Sequence, residues 1–176
     1  MGCVVGVQAQ LVNLGADIRV ESGTSLRVPF HDVNVPSGRL HNDGQIITGD
    51  DLISGIGVLD GNGVYEVAGN FNADFNDGTS EVRLVGAESA LISSVTKFYD
   101  LTIDKVGSAS VFLNASILIN NKLEFAGTAN RLTADFGGVT VRENATIVGA
   151  DANNYVRTAG FPSTGTIGPI GSGKPC

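Results

Sequence analysis

The chain has 176 residues, a net charge of -7 and an isoelectric point near 4.6, with its 11 basic residues scattered singly. That argues against a nucleic-acid groove, which needs clustered Lys and Arg to replace the counterions on phosphate. With 24 glycines, no tryptophan and 16% charged residues, the composition fits neither a charged disordered chain nor a helical domain; it points to strands and tight turns.

Residues 1–9 read as the tail of a signal peptide. Cys3 to Val7 form a short apolar stub, and Val7, Gln8 and Ala9 supply a small-residue cleavage pattern, with cutting expected after Ala9. The other reading of this stretch is a first strand capping the fold. From residue 10 onward short alternating runs begin: Ile18 and Val20, then Leu26 and Val28 after a Ser-Gly-Thr turn, then Val33 and Val35, then Leu40. Each run puts its apolar residues on one face. Residues 41–63 carry Asn-Asp-Gly and Asp-Gly-Asn-Gly, which supply the positive φ angles that sharp corners need. Val64, Val67, Phe71 and Phe75 follow, then Val82, Leu84, Leu91 and Ile92. In KFYDLTIDK, Phe98, Leu101 and Ile103 are the leading core candidates. Leu113, Ile117, Ile119, Leu123 and Phe125 continue the core, as do Leu132, Phe136, Val139, Val141, Ile147 and Val148.

Turns at intervals of about eight to twelve residues suit an antiparallel β-sandwich as well as a β-solenoid. The homogeneous corners and Asn-rich turns favour the solenoid, because stacked Asn side chains bond along a ladder of equivalent positions. The expected fold is therefore all-β, a right-handed parallel β-helix or β-solenoid over 10–158, with the sandwich as the alternative. Residues 159–176, rich in Gly, Pro, Ser and Thr, read as an irregular tail or the truncated start of a further domain. Cys3 and Cys176 sit at opposite ends of the expected rod, too far apart for a bridge that needs Cα atoms within roughly 7 Å.

Several phrases carry a family resemblance over residues 8 to 158. QAQLVNLGADIRVESGTSLRV, LHNDGQI, FNADFNDGTSEVRLVG and above all KFYDLTIDK resemble the repetitive β-solenoid regions of large secreted and surface-exposed proteins of Bacteroidota. ILINNKLEF, ATIVGA and YVRT follow in the same order as in those proteins. The resemblance implies export, often by the type IX route with a separate C-terminal sorting domain, and a role as an adhesin stalk or surface scaffold. It also implies that this chain is a fragment of a larger one, with flanking domains.

Candidate chemistry is sparse. GPIGSGK at residues 168–174 has the glycine and lysine spacing of a phosphate loop, but Pro175 takes the Ser or Thr position and no helix follows. Asp50, Asp51, Asp60, Asp74, Asp77 and Glu81 offer oxygen ligands for calcium without an EF-hand order, and turn formation is their expected role. Asp100, Asp104 and Asp135, with Lys105 or Arg131 as a base, are the candidates for a glycosidase or polysaccharide-lyase site. Asp100 and Asp104 flank inward Leu101 and Ile103, so solvating the outer face is their simplest use. His31 and His41 read as exposed turn residues, and Asn114 and Asn144 as glycosylation acceptors only in a eukaryotic secretory route. Tyr65, Tyr99, Tyr155, Phe30 and Phe161 are too dispersed to define a sugar-binding face.

The sequence thus predicts a secreted or cell-surface structural or adhesive segment and not an enzyme, with no catalytic, cofactor or metal residue assigned. Its partners would be an extracellular polysaccharide or surface and its own flanking domains, with no nucleic acid and no membrane span. The rival is a polysaccharide-binding or polysaccharide-degrading β-helix module. Three or more carboxylates with a Lys or Arg on one outer face would favour that rival; a face of Thr, Ser, Asn and Val would favour the rod.

Overall fold

The structure is a computed structural model that describes residues 10–75, 78–127, 129–134 and 136–158. The signal-like stub, both cysteines, the Gly-Lys motif, Phe161, Asp77 and Asp135 lie outside them. Every described strand pairing is parallel, and the strands form a nine-stranded and an eight-stranded sheet. Residues pair with partners roughly one coil further on: Val33 with Leu52, Leu52 with Phe71, Ala90 with Val111. A strand that always bonds its own equivalent in the next coil makes a solenoid, so the sandwich alternative falls.

Each coil has three sides. The first is built from residues 11–12 and 33–35 and from Leu52–Ser54, Phe71–Asn72, Ala90–Ile92, Ser110–Leu113, Arg131–Ala134 and Tyr155–Thr158. The second holds residues 17–20 and 39–42, Val58–Asp60, the single bridge of Phe75 to Leu59, residues 96–98 and 117–119, and Val139–Val141. The third holds Ser25–Val28, Gln45–Thr48, Val64–Val67, Glu81–Gly86, residues 100–105 and 122–125, and Thr146–Val148. The long strands Leu11–Val20 and Val33–Asn42 run from the first side to the second, and Thr96–Lys105 and Ile117–Phe125 from the second to the third.

Alternation along each strand sends every other side chain inside, where equivalent residues stack coil on coil. On the third side Ile46, Tyr65, Val82, Leu101 and Leu123 form one such column, each of them essentially sealed from solvent. Phe98, Leu101 and Ile103 are buried as expected. Phe71, Phe75 and Phe98 pack in sequence at centroid distances of 5.7 and 5.2 Å through Phe71, and Tyr65 meets Phe75 edge-on at 4.9 Å. Three expected core placements fail, those of Phe136, Ile147 and Val148. Phe136 is a corner residue, 86% exposed, because the turn after Ala134 carries it outward. Ile147 stacks on Leu123 but lies on the last described strand of the third side, which nothing described covers, and Val148 pairs with outward Glu124 and faces solvent. Tyr65 is fully buried, its hydroxyl donating to the Asp60 carbonyl at 2.9 Å.

The corners are held by polar ladders running along the stack. Where the third side turns into the first, Asp32 Oδ1 accepts the Asp51 N–H, Asp51 Oδ1 the Asn70 N–H, Asn70 Oδ1 the Leu91 N–H, and Ser89 Oγ the Ser110 N–H. Next to it, Asn130 Oδ1 accepts the Lys105 N–H and Asn154 Oδ1 the Asn130 N–H, both at 2.8 Å. Side-chain oxygens thus satisfy backbone donors that a corner takes out of the sheet. Gly61, at φ +107°, sits where a Cβ would run into the Asn42 carbonyl of the coil before.

Candidate functional faces

Three outward regions carry chemistry. On the third side, Asp100 stands in register between Glu81 and Lys122, and Thr102 between Arg83 and Glu124. Thr102 donates to Glu81 Oε1 at 2.7 Å, Arg83 Nη2 approaches the same oxygen at 3.2 Å, Lys122 donates to Glu124 at 2.7 Å, and Asn121 to Asp100 at 2.7 Å. Burial pushes the Glu81 carboxyl up, but the Thr102 hydrogen bond and the Arg83 charge outweigh it and hold it below its ordinary value. This array meets the criterion set for a polysaccharide-active face, yet Glu81, Asp100 and Glu124 are each engaged with a neighbouring side chain.

On the second side, His41 lies between two carboxylates. Its Nδ1 is 2.7 Å from Asp60 Oδ1 and its Nε2 2.7 Å from Asp43 Oδ2, while Arg39 Nη2 pairs with Asp60 at 2.8 Å. Both ring nitrogens reach a carboxylate, with Arg39 Nη2 also 3.1 Å from Nδ1, and the bonds to Asp60 and then Asp43 hold the His41 pKa above the ordinary value. His41 is therefore a strand residue clamped across coils and not the exposed turn residue expected. The coil period is the signal that finds it, because it places Asp60 in register beside His41. A shallow, open depression next to Asp43 is floored by Gly23, Ser25, Gly44 and Val64.

At the corner between the third and first sides, carboxylate oxygens of Asp32, Asp50 and Asp51 lie within 4.8 Å of one another. Burial, then the charges of Asp51 and Asp32, push Asp50 up. Asp51 already receives Asn70 through both its N–H and its Nδ2, and Asp32 receives Asp51 and Gln10. The other expected calcium ligands are dispersed: Asp60 is on the second side, Asp74 at a corner and Glu81 on the third side.

The expected acid and base residues are not brought together. Asp100 and Asp104 point out of the third side, whereas Lys105 points in, 3% exposed, its ammonium donating to the Ala68 and Val85 carbonyls at 2.8 and 2.5 Å. Burial lowers its pKa to about 8. Alternation alone puts Lys105 on the opposite face of the sheet from both aspartates. Arg131 is on the first side, stacked 5.8 Å over the Tyr155 ring. Around it, outward Leu91 and Phe112 are 36% and 37% exposed.

No family model, no curated protein and no solved structure matches this chain. The β-solenoid implied by the resemblance is what the structure has, and its implications for export and adhesion pass to the proposal below.

Proposed function

We propose that the chain is a rod segment of a larger bacterial secreted or cell-surface protein, serving as a stiff spacer with an adhesive outer surface. The observation that supports this best is the parallel stacking of about 7 coils, in which polar side chains bond to neighbours along the stack rather than gather around a cleft. Such a stack extends by repetition and presents equivalent residues at intervals of about 4.8 Å, which suits weak, multivalent contact. Polysaccharide or another surface, and flanking domains of the same chain, are its proposed partners.

The Glu81, Asp100 and Glu124 array with Arg83 and Lys122 favours one second reading, a polysaccharide-degrading module. One experiment separates the two. The chain is displayed on beads and passed over an immobilised mixture of extracellular polysaccharides, and the flow-through is assayed for new reducing ends and unsaturated uronates. Retention that grows with display density and no released sugar is the expected result. Released ends that disappear in Glu81→Gln would install the enzyme reading instead.

A further inference from the structure

We infer that the outward surface of the first side, over the strands Ala90–Ile92, Ser110–Leu113, Arg131–Ala134 and Tyr155–Thr158, is a binding face for a linear anionic polysaccharide. This rests on the adhesive reading above and names its partner and place. Two columns of stacked side chains build the face: Leu91, Phe112, Thr133 and Arg157, and beside them Ser110, Arg131 and Tyr155.

Charge separates this face from the others. The chain carries 18 acidic residues and a net charge of -7, yet neither column contains a carboxylate. The corresponding column of the third side carries two carboxylates and a base, as Glu81, Asp100 and Lys122. Among the described residues, neither Arg131 nor Arg157 forms an ion pair with a carboxylate. Glu88 lies at the bordering corner, and Asp51 continues the Leu91 column two rungs before this face begins. An anionic polymer is repelled by most of this molecule, and meets here two cations that pair with no carboxylate among the described residues.

Shape and chemistry narrow the partner further. A flat sheet face has no walls to enclose a small ligand, whereas a polymer can lie across several rungs. Arg131 Cζ lies 5.8 Å over the Tyr155 ring, within cation–π range, and its guanidinium N–H groups can form a forked pair with a carboxylate. Exposed Phe112 and Leu91 supply an apolar floor for the C–H face of a sugar ring. Arg131 and Arg157 are one rung and two residues apart, a Cα separation of about 8 Å, so they are stepped along a chain rather than converging on one anion. Two cations are too few for the phosphate density of a nucleic acid.

The test is retention of the full chain on immobilised polygalacturonate, with dextran as a neutral polymer and oligothymidylate as a second polyanion. The expected result is chloride-sensitive retention on polygalacturonate alone. Arg131→Gln/Arg157→Gln should lower affinity at least tenfold, Phe112→Ala severalfold, and Arg19→Gln on the second side not at all, with urea midpoints confirming that each variant is folded. Arg157→Gln alone serves if the double variant does not fold. Equal retention on dextran, preference for oligothymidylate, or indifference to the arginine changes overturns the site. Retention that survives those changes leaves the adhesive reading standing without this face, and no retention on polygalacturonate overturns the face while the mixed-polysaccharide experiment above still decides the adhesive reading.

Discussion

Lys105 puts an ammonium where the alternation of Leu101 and Ile103 calls for an apolar side chain. Its hydrogen bonds go to two backbone carbonyls, and burial depresses its pKa from 10.5 to about 8. Between those values the unfolded chain binds the proton and the folded chain does not, so stability should rise with pH from about 8 to about 10.5, by about 2–3 kcal/mol. Urea unfolding of wild type and Lys105→Met at pH 7.5 and 10 checks this: the difference between the two proteins should change across that interval, and a constant difference contradicts the assignment. His41 works in the other direction. Its folded pKa is raised by Asp60 and Asp43, so its contribution is full below the unfolded value of about 6.5 and is lost as pH rises through the raised one. Stability should fall across that window in wild type and stay flat in His41→Asn. Phe98, Leu101 and Ile103 were readable in the sequence because each is apolar between polar neighbours. Lys105 and Tyr65 were not, because their polar atoms find backbone acceptors only once the coils stack.

At the scale of the strand and corner, inward side chains are fixed by register. Leu101→Asp would bury a carboxylate between Val82 and Leu123, and should destabilise by more than about 3 kcal/mol. Asn130→Ala strips the Lys105 N–H of its acceptor and should lower stability by about 1–2 kcal/mol in chemical unfolding. A near-neutral result for either variant contradicts the assigned register. Glycine and asparagine marked many corners in the sequence, which is why the solenoid was legible there. The corner between the second and third sides in KFYDLTIDK was not, because the chain turns within a continuous strand, through the register irregularity between Phe98 and Asp100, and uses no turn residue. For the same reason turn spacings could be read from the residues without revealing that three sides close one coil.

Over the whole molecule, stability should be close to a sum over coils and their interfaces. Shortening the chain to end at Ala134, and then at Leu113, should lower the urea midpoint in steps, with the denaturant slope falling as less surface is buried. Complete loss of folding at the first step would point to a closed, all-or-none domain. The polar faces were the least legible part of the sequence. Which acids sit beside which bases depends on residues about one coil apart, and Asp60 beside His41 or Glu81 beside Thr102 has no signature until the coil length is known. That coil length is the core of the account. Its most direct test replaces Asn34 and Ile53, outward neighbours on the first side, with cysteines in a Cys3→Ser/Cys176→Ser background, and Asn34 with Asn72 as the control. Neighbouring rungs about 4.8 Å apart fall within disulfide range and rungs two apart, at about 9.6 Å, do not. The account predicts that mild oxidation links Asn34→Cys to Ile53→Cys and leaves Asn34→Cys and Asn72→Cys free. Linkage of the second pair, or of neither, would contradict the parallel one-coil register.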